Sequence, residues 1–166
     1  ICGLQKTTLL DFPGHVAATV FTGGCNFRCP FCQNGNLVQH PEWEPVIPEE
    51  EIFAVLEKRR GVLDGVCVTG GEPTLDPDLE RFVTKIKELG YLVKLDTNGY
   101  RPEILKKLVE EKKIDYVAMD IKNAPSRYGE TAGVKKIDVM RINESVEFLK
   151  SGVVDYEFRT TLCKEL

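Results

Sequence analysis

Short apolar runs alternate along this chain with longer segments in which apolar residues recur every three or four positions. Residues 16–21 (VAATVF) form the first run and lead straight into a loop rich in glycine and cysteine. Residues 48–60 (PEEEIFAVLEKRR) begin with proline, carry acids in the first turn and bases in the last, and place Ile52, Phe53 and Leu56 on one face, which predicts a helix. Residues 65–70 (GVCVTG) read as a buried strand. In residues 76–90 (DPDLERFVTKIKELG), Leu79, Phe82, Val83, Ile86 and Leu89 fall at helical spacing, and Gly90 supplies the stop.

The alternation continues with a strand at 91–95 and a helix at 101–113 that turns Ile104, Leu105, Leu108 and Val109 inward. A strand at 115–122 follows, then a helix marked by Val139, Ile142, Val146 and Leu149 and closed by Ser151-Gly152, then a strand at 153–162. Five strands separated by helices of about a dozen residues imply right-handed crossovers and a parallel sheet. In the last strand Tyr156, Phe158, Thr160 and Leu162 alternate with Asp155, Glu157, Arg159 and Thr161. A central strand of a flat sheet would be apolar on both faces, so the charged face suits the inside of a partial barrel holding a polar ligand. The expected fold is therefore α/β, a partial, open TIM-like (β/α) barrel in one domain over residues 1–166. The first residue is Ile, and KEL follows the last strand directly, so the chain is expected to stop before its last βα unit is complete.

Composition narrows the classes of partner. A net charge of −4 and a pI near 5.3 argue against a nucleic-acid or anionic-membrane surface, because such surfaces are built from clustered Lys and Arg. No apolar run reaches the roughly 18 residues that span a bilayer, and the start ICGLQKTTLL lacks a secretory pattern, so a soluble, cytoplasmic protein is expected. Of the six cysteines, Cys25, Cys29 and Cys32 fall within TGGCNFRCPFCQNG, which points to metal rather than disulfides. Cys2, Cys67 and Cys163 are scattered and read as small buried hydrophobes or isolated thiols.

In parallel α/β folds ligands collect at the carboxyl ends of the strands. Here those ends carry the cysteine loop, Gly70-Gly71-Glu72-Pro73, Asp96-Thr97-Asn98-Gly99, Asp120-Ile121-Lys122 and, within the last strand, Arg159. Zinc sites favour two C-x-x-C pairs or a pair with two histidines, and only His15 and His40 are available to complete such a set. An iron–sulfur cluster fits three thiolates on one tight loop and leaves one iron free for a ligand that is not protein. A four-cysteine electron-transfer cluster completed by Cys2, Cys67 or Cys163 stays open as the alternative. Taken singly, GGEP reads equally as a turn before a helix, DTNG as a strand-to-helix turn, and Asp120 with Lys122 as an exposed pair. The segment 123–133 (NAPSRYGETAG) has turn formers without apolar periodicity. It reads either as an ordinary loop or as a contact for a protein substrate.

The spacing C-x3-C-x2-C at Cys25, Cys29 and Cys32, followed by GGEP, resembles the radical S-adenosylmethionine (SAM) superfamily. GLQKTTLLDFPGHVAATVFTGGCNFRCPFCQN, DTNG and DIK further resemble the glycyl-radical-enzyme activases, in particular those of anaerobic ribonucleoside-triphosphate reductase. The resemblance implies a six-stranded partial barrel, a [4Fe–4S] cluster on Cys25, Cys29 and Cys32, and SAM chelated to the open iron. Reductive cleavage of SAM would give methionine and a 5′-deoxyadenosyl radical that abstracts hydrogen from a glycine of the partner enzyme. It places SAM contacts at Phe31, Cys32, Gln33, Gly70, Gly71, Glu72, Asn98, Asp120, Ile121, Lys122 and Arg159. Phe31, Cys32 and Gln33 would border the adenine, and the Gly70-Gly71-Glu72 edge would receive the ammonium group. It also implies an electron donor such as flavodoxin or ferredoxin, and a monovalent cation near Asp96, Thr97 and Asp120.

Overall fold

The computed structural model describes residues 1–164 and holds one six-stranded sheet with strands in sequence order. Strands β2 (Ala17–Thr22), β3 (Gly65–Gly70), β4 (Leu92–Thr97), β5 (Tyr116–Asp120) and β6 (Asp155–Arg159) pair in parallel, each with the next. They are the five strands the apolar pattern predicts. Strand β1 (Gly3–Thr8) pairs antiparallel with β2, with a register irregularity between Gln5 and Thr8, and was not foreseen. Residues 5–7 are exposed on this edge strand, so no apolar alternation marks it. The sheet does not close: β1 and β6 are its two edges. Glu165 and Leu166, in which the expectation about the chain's end partly rests, lie outside the described residues.

The long crossovers carry α2 (Glu49–Lys58), α3 (Leu79–Glu88), α4 (Pro102–Glu110) and α6 (Val139–Lys150), close to the predicted spans. Right-handed crossovers between consecutive neighbours put these helices on one face of the sheet. That face is the core, where Val66, Val68, Val93, Leu95, Val117 and Met119 of the strands meet Ile52, Leu56, Phe82, Ile86, Leu105 and Leu149 of the helices. Burying side chains of this size contributes about 1.5–3 kcal/mol each.

The other face is the concave one, and its residues alternate with the core set. Register aligns Thr19 of β2 with Cys67 of β3 and Lys94 of β4, and one pleat higher Asp96, Ala118 and Glu157 align across β4, β5 and β6. From below, the loop between β1 and β2 inserts Phe12, buried against His15, Tyr116 and Gly65. A Cβ on Gly65 would lie 2.8 Å from the Phe12 ring, so that strand start is kept bare. Asp11 of the same loop accepts a hydrogen bond from the Thr19 hydroxyl at 2.5 Å. The concave face is thus polar, as the alternation of the last strand predicts, and closed at its amino-terminal end.

Two short helices also escape the sequence pattern. Helix α1 (Gly35–Gln39) follows the cysteine loop, and α5 (Tyr128–Ala132) lies within the segment read above as a loop. The buried residues of α5 are Tyr128, Thr131 and Ala132, too few and too mixed in polarity to show a helical period.

Candidate active site

Three loops at the carboxyl ends of β2, β3 and β4 interlock, the first two by backbone hydrogen bonds and the third through the Glu72 side chain. The Gly71 N–H donates to the Thr22 carbonyl at 2.9 Å and the Glu72 N–H to the Gly24 carbonyl at 2.8 Å. A Cβ on Gly71 would collide with that Gly24 carbonyl, and Gly70 holds φ at +115° against the Thr22 backbone. The double glycine therefore serves the seam between two loops of the chain itself. Asn34 adds a bond from its side-chain amide to the Gly70 carbonyl at 3.0 Å.

Glu72 is 2% exposed, and its carboxylate is shared among four donors of the chain. One oxygen accepts from the Thr74 N–H at 3.1 Å, the Thr74 hydroxyl at 2.5 Å and the Thr97 hydroxyl at 2.7 Å, and the other accepts from the Asn98 N–H at 2.7 Å. Burial raises its pKa, against these four bonds. Glu72 thus fastens the β3 loop to the β4 loop. The Asn98 side chain continues the chain of contacts, donating to Asn26 Oδ1 at 2.8 Å and reaching Cys25 Sγ at 3.8 Å.

The cysteine loop is held on its other side by α5. The Arg28 N–H donates to the Ala132 carbonyl at 2.8 Å, and Phe27 is buried edge-on between Tyr100 and Tyr128. The Arg28 guanidinium folds back onto the carbonyls of Cys25 and Phe27. The consequence is that Cys25, Cys29 and Cys32 all face a cavity of about 350 Å³. Burial pushes the Cys25 thiol up to about 11, despite the Phe27 N–H at 3.3 Å from its sulfur. Burial also raises Cys29, while the Lys122 ammonium pulls it down. Buried thiols of this kind ligate a metal as thiolates, their protons being released to solvent as the metal binds.

The same cavity is lined by Phe31, Gln33, Gly70, Gly71, Glu72, Asn98, Asp120, Lys122 and Arg159, which brings together every anticipated contact but one. Ile121 is the exception. Strand alternation turns it away from Asp120 and Lys122, and it packs against the core instead. The Lys122 ammonium lies 6.0 Å from the Phe31 ring centroid. Asp96 and Thr97 are also in the lining, together with Asn34 of the cysteine loop and with Thr69, Thr160 and Thr161, which belong to no motif. His15 packs on Phe12, and His40 stacks on Trp43 at 3.7 Å; neither lines the cavity. Cys67 is buried on the concave face, where burial raises its pKa, and Cys2 and Cys163 are half-buried.

An open parallel barrel with a three-cysteine loop over its carboxyl end defines a class of SAM-dependent iron–sulfur proteins. The sequence profile of the radical SAM superfamily matches residues 19–161, and the chain belongs to that superfamily. It is 33% identical over 169 aligned residues to a Methanocaldococcus jannaschii protein provisionally named a glycyl-radical enzyme activating enzyme, covering 97% of this chain and 67% of the relative. It is 37% identical over 89 residues to 7-carboxy-7-deazaguanine synthase of Rhodospirillum rubrum, covering 53% of this chain and 36% of the relative. The fold is shared with TYW1 (TM-score 0.60, 21% identity, 90% of this chain and 55% of that one). It is likewise shared with anSMEcpe with bound AdoMet and a peptide (TM-score 0.62, 18% identity, 86% of this chain and 42% of that one). The superfamily implies a [4Fe–4S] cluster and SAM, and the three cysteines with the polar cavity opposite them fit both.

Proposed function

We propose that this chain is the catalytic module of a glycyl-radical-enzyme activating enzyme. The observation that carries the reading is a single cavity with three cysteines on one side and Gly70, Gly71, Asp120, Lys122 and Arg159 on the other. The similarity to the Methanocaldococcus jannaschii protein along nearly the whole chain supports this choice within the superfamily. The chain spans about two thirds of that relative and a smaller share of most others, so the activity is proposed for this module within its whole protein.

In this reading Cys25, Cys29 and Cys32 hold the cluster, and Lys122 and Arg159 offer their charges to the carboxylate of SAM. Phe31, Cys32 and Gln33 border the adenine, and the Gly70-Gly71 edge receives the ammonium group. Glu72 acts through its neighbours, since its oxygens already hold Thr74, Thr97 and Asn98. When bound, the reduced cluster supplies an electron that cleaves SAM to methionine and a 5′-deoxyadenosyl radical, the species that takes hydrogen from substrate. A glycine of an extended peptide has no side chain to keep its Cα out of such a cavity. The partner proposed is anaerobic ribonucleoside-triphosphate reductase, and the reductant a flavodoxin or ferredoxin.

The test is anaerobic reconstitution followed by reduction with SAM present. The expected results are 5′-deoxyadenosine as product, its loss in Cys25→Ala, and a glycyl radical in the electron paramagnetic resonance spectrum of the partner. A fully loaded protein that cleaves no SAM would sink the reading. The similarity to 7-carboxy-7-deazaguanine synthase supports a second reading, chemistry on a small molecule. SAM cleavage without any glycyl radical on the reductase would favour it.

A further inference from the structure

The line of charges at the strand ends, Asp96, Asp120, Lys122 and Arg159, continues below the cavity into two that the motifs do not include, Lys94 and Glu157. Lys94, on β4, is 1% exposed, with its ammonium 2.6 Å from Asp96 Oδ1, 3.9 Å from Glu157 Oε1 and 4.0 Å from Cys67 Sγ. The second oxygen of Asp96 lies 3.2 Å from the Arg159 guanidinium. Arg159 reaches Asp120 Oδ1 at 3.1 Å, and Lys122 reaches Asp120 Oδ2 at 2.8 Å. All four carboxylate oxygens of Asp96 and Asp120 thus face an ammonium or guanidinium of the chain, while the Thr97 hydroxyl donates to Glu72 at 2.7 Å and accepts from the Gly99 N–H at 3.1 Å.

A bound monovalent cation needs several oxygen ligands, and a carboxylate among them attracts it only as far as its charge is not already matched. Of the residues expected to surround such an ion, Asp96 keeps a cation of the chain, Lys94, even when Arg159 turns to a ligand, and Asp120 is matched by Arg159 and Lys122 as long as they stay on it. The three cations of the line also differ in what they can do. Lys122 and Arg159 line the cavity and can turn to a ligand's carboxylate, whereas Lys94 is sealed below it. When a ligand draws on Arg159, Asp96 therefore keeps its inner partner.

We propose that Lys94 is a built-in cation: its ammonium takes the place that a free monovalent ion would occupy beside Asp96, and SAM binding by this chain is independent of such ions. Lys94 is a positioning residue that fixes Asp96 and, through Arg159, the Asp120–Lys122 pair. The inference rests on the reading of the cavity as the SAM site.

The test measures SAM affinity of the anaerobically reconstituted protein by equilibrium dialysis, in choline chloride and in potassium or sodium chloride at equal ionic strength. Wild-type affinity is expected to agree within about twofold among the three salts, against the roughly 5–150-fold typical of coupled ligands. A larger gain with potassium or sodium overturns the proposal. Lys94→Met, which keeps the stem and removes the charge, is expected to bind SAM at least about fivefold more tightly in potassium or sodium than in choline. Lys94→Met binding that is folded and indifferent to the salt overturns the proposal.

The thermal unfolding midpoint asks the same question without SAM. It is expected to be flat across the salts for wild type and for Lys94→Arg, and raised by potassium or sodium in Lys94→Met. A wild-type midpoint that potassium or sodium raises above its value in choline overturns the proposal. If circular dichroism shows Lys94→Met unfolded, the wild-type and Lys94→Arg arms decide. A protein that binds no SAM in any salt defeats the reading of the cavity, while its unfolding midpoints still judge the built-in cation.

Discussion

At Glu72 four donors meet one carboxylate, and that arithmetic decides what substitution does. A glutamine of the same shape keeps one accepting oxygen and turns the other into an amide donor. Placed toward Asn98, that amide would point at the Asn98 N–H, leaving a buried donor without a partner. Leaving a buried polar group unsatisfied costs about 1–3 kcal/mol, so Glu72→Gln is expected to lower stability by that amount in urea unfolding of the metal-free protein. An unchanged midpoint would mean that the clasp between the β3 and β4 loops carries no energy. Both Glu72 and Lys94 show what can be read from residue type alone. GGEP marks Glu72 as a site residue, yet nothing in the motif says that its oxygens are spent within the chain. Lys94 sits in VKL, where a lysine between apolar neighbours reads as the solvent-facing position of a strand. Only the curvature of the sheet, which makes the other face a barrel interior, converts it into a buried charge.

Elements of this fold were legible to the extent that burial followed a period. Four crossover helices show apolar spacing of 3.6 and β2 to β5 short apolar runs, because each has one wide core face, while β6, with no fully buried residue, is marked by alternation alone. Strand β1 has no such face, and α5 buries only Tyr128, Thr131 and Ala132, so both were silent. Helix α5 nevertheless governs the cysteine loop. It ends at Gly133, with φ at +66°, and a Cβ there would collide with the Arg28 carbonyl. Gly133→Ala is expected to cost about 1–3 kcal/mol from backbone strain and to reduce iron incorporation on reconstitution, measured as iron per chain. Full iron loading at wild-type stability would show that α5 does not hold the loop. Between α2 and α3 the expected effect is smaller. Bonds from Arg81, with Lys85 beside it, hold Glu49 down at about 2, and the pair lies at the surface. A depressed carboxylate contributes stability above its ordinary value of 4.5 and loses it as pH falls toward 2. Glu49→Gln should therefore cost less than about 1 kcal/mol at neutral pH, with the difference from wild type shrinking below pH 4.5. A difference that grew on acidification would contradict this sign.

For the molecule as a whole, the cavity belongs to no single element. Cys25 follows β2, Gly71 follows β3, Asp96 and Asn98 close β4, Asp120 ends β5 and Arg159 ends β6. Sheet order keeps these five strand ends in sequence, and Arg159 of β6 ties them by reaching Asp120 on neighbouring β5 and, past it, Asp96 on β4. Partial unfolding of any one crossover would remove part of the lining, so a ligand held there binds the complete fold and nothing less. Ligand at about 100 times its dissociation constant then stabilises by about 2.7 kcal/mol. In a chain of this size that amounts to a rise in the unfolding midpoint of roughly 5–10 °C. The anaerobically loaded protein is expected to show this rise with SAM in a single calorimetric transition, and Cys25→Ala is expected to show none. Stabilisation confined to part of the transition would mean that SAM is held by fewer than the five strand ends. No shift at full iron content and saturating SAM would refute a site built from all of them.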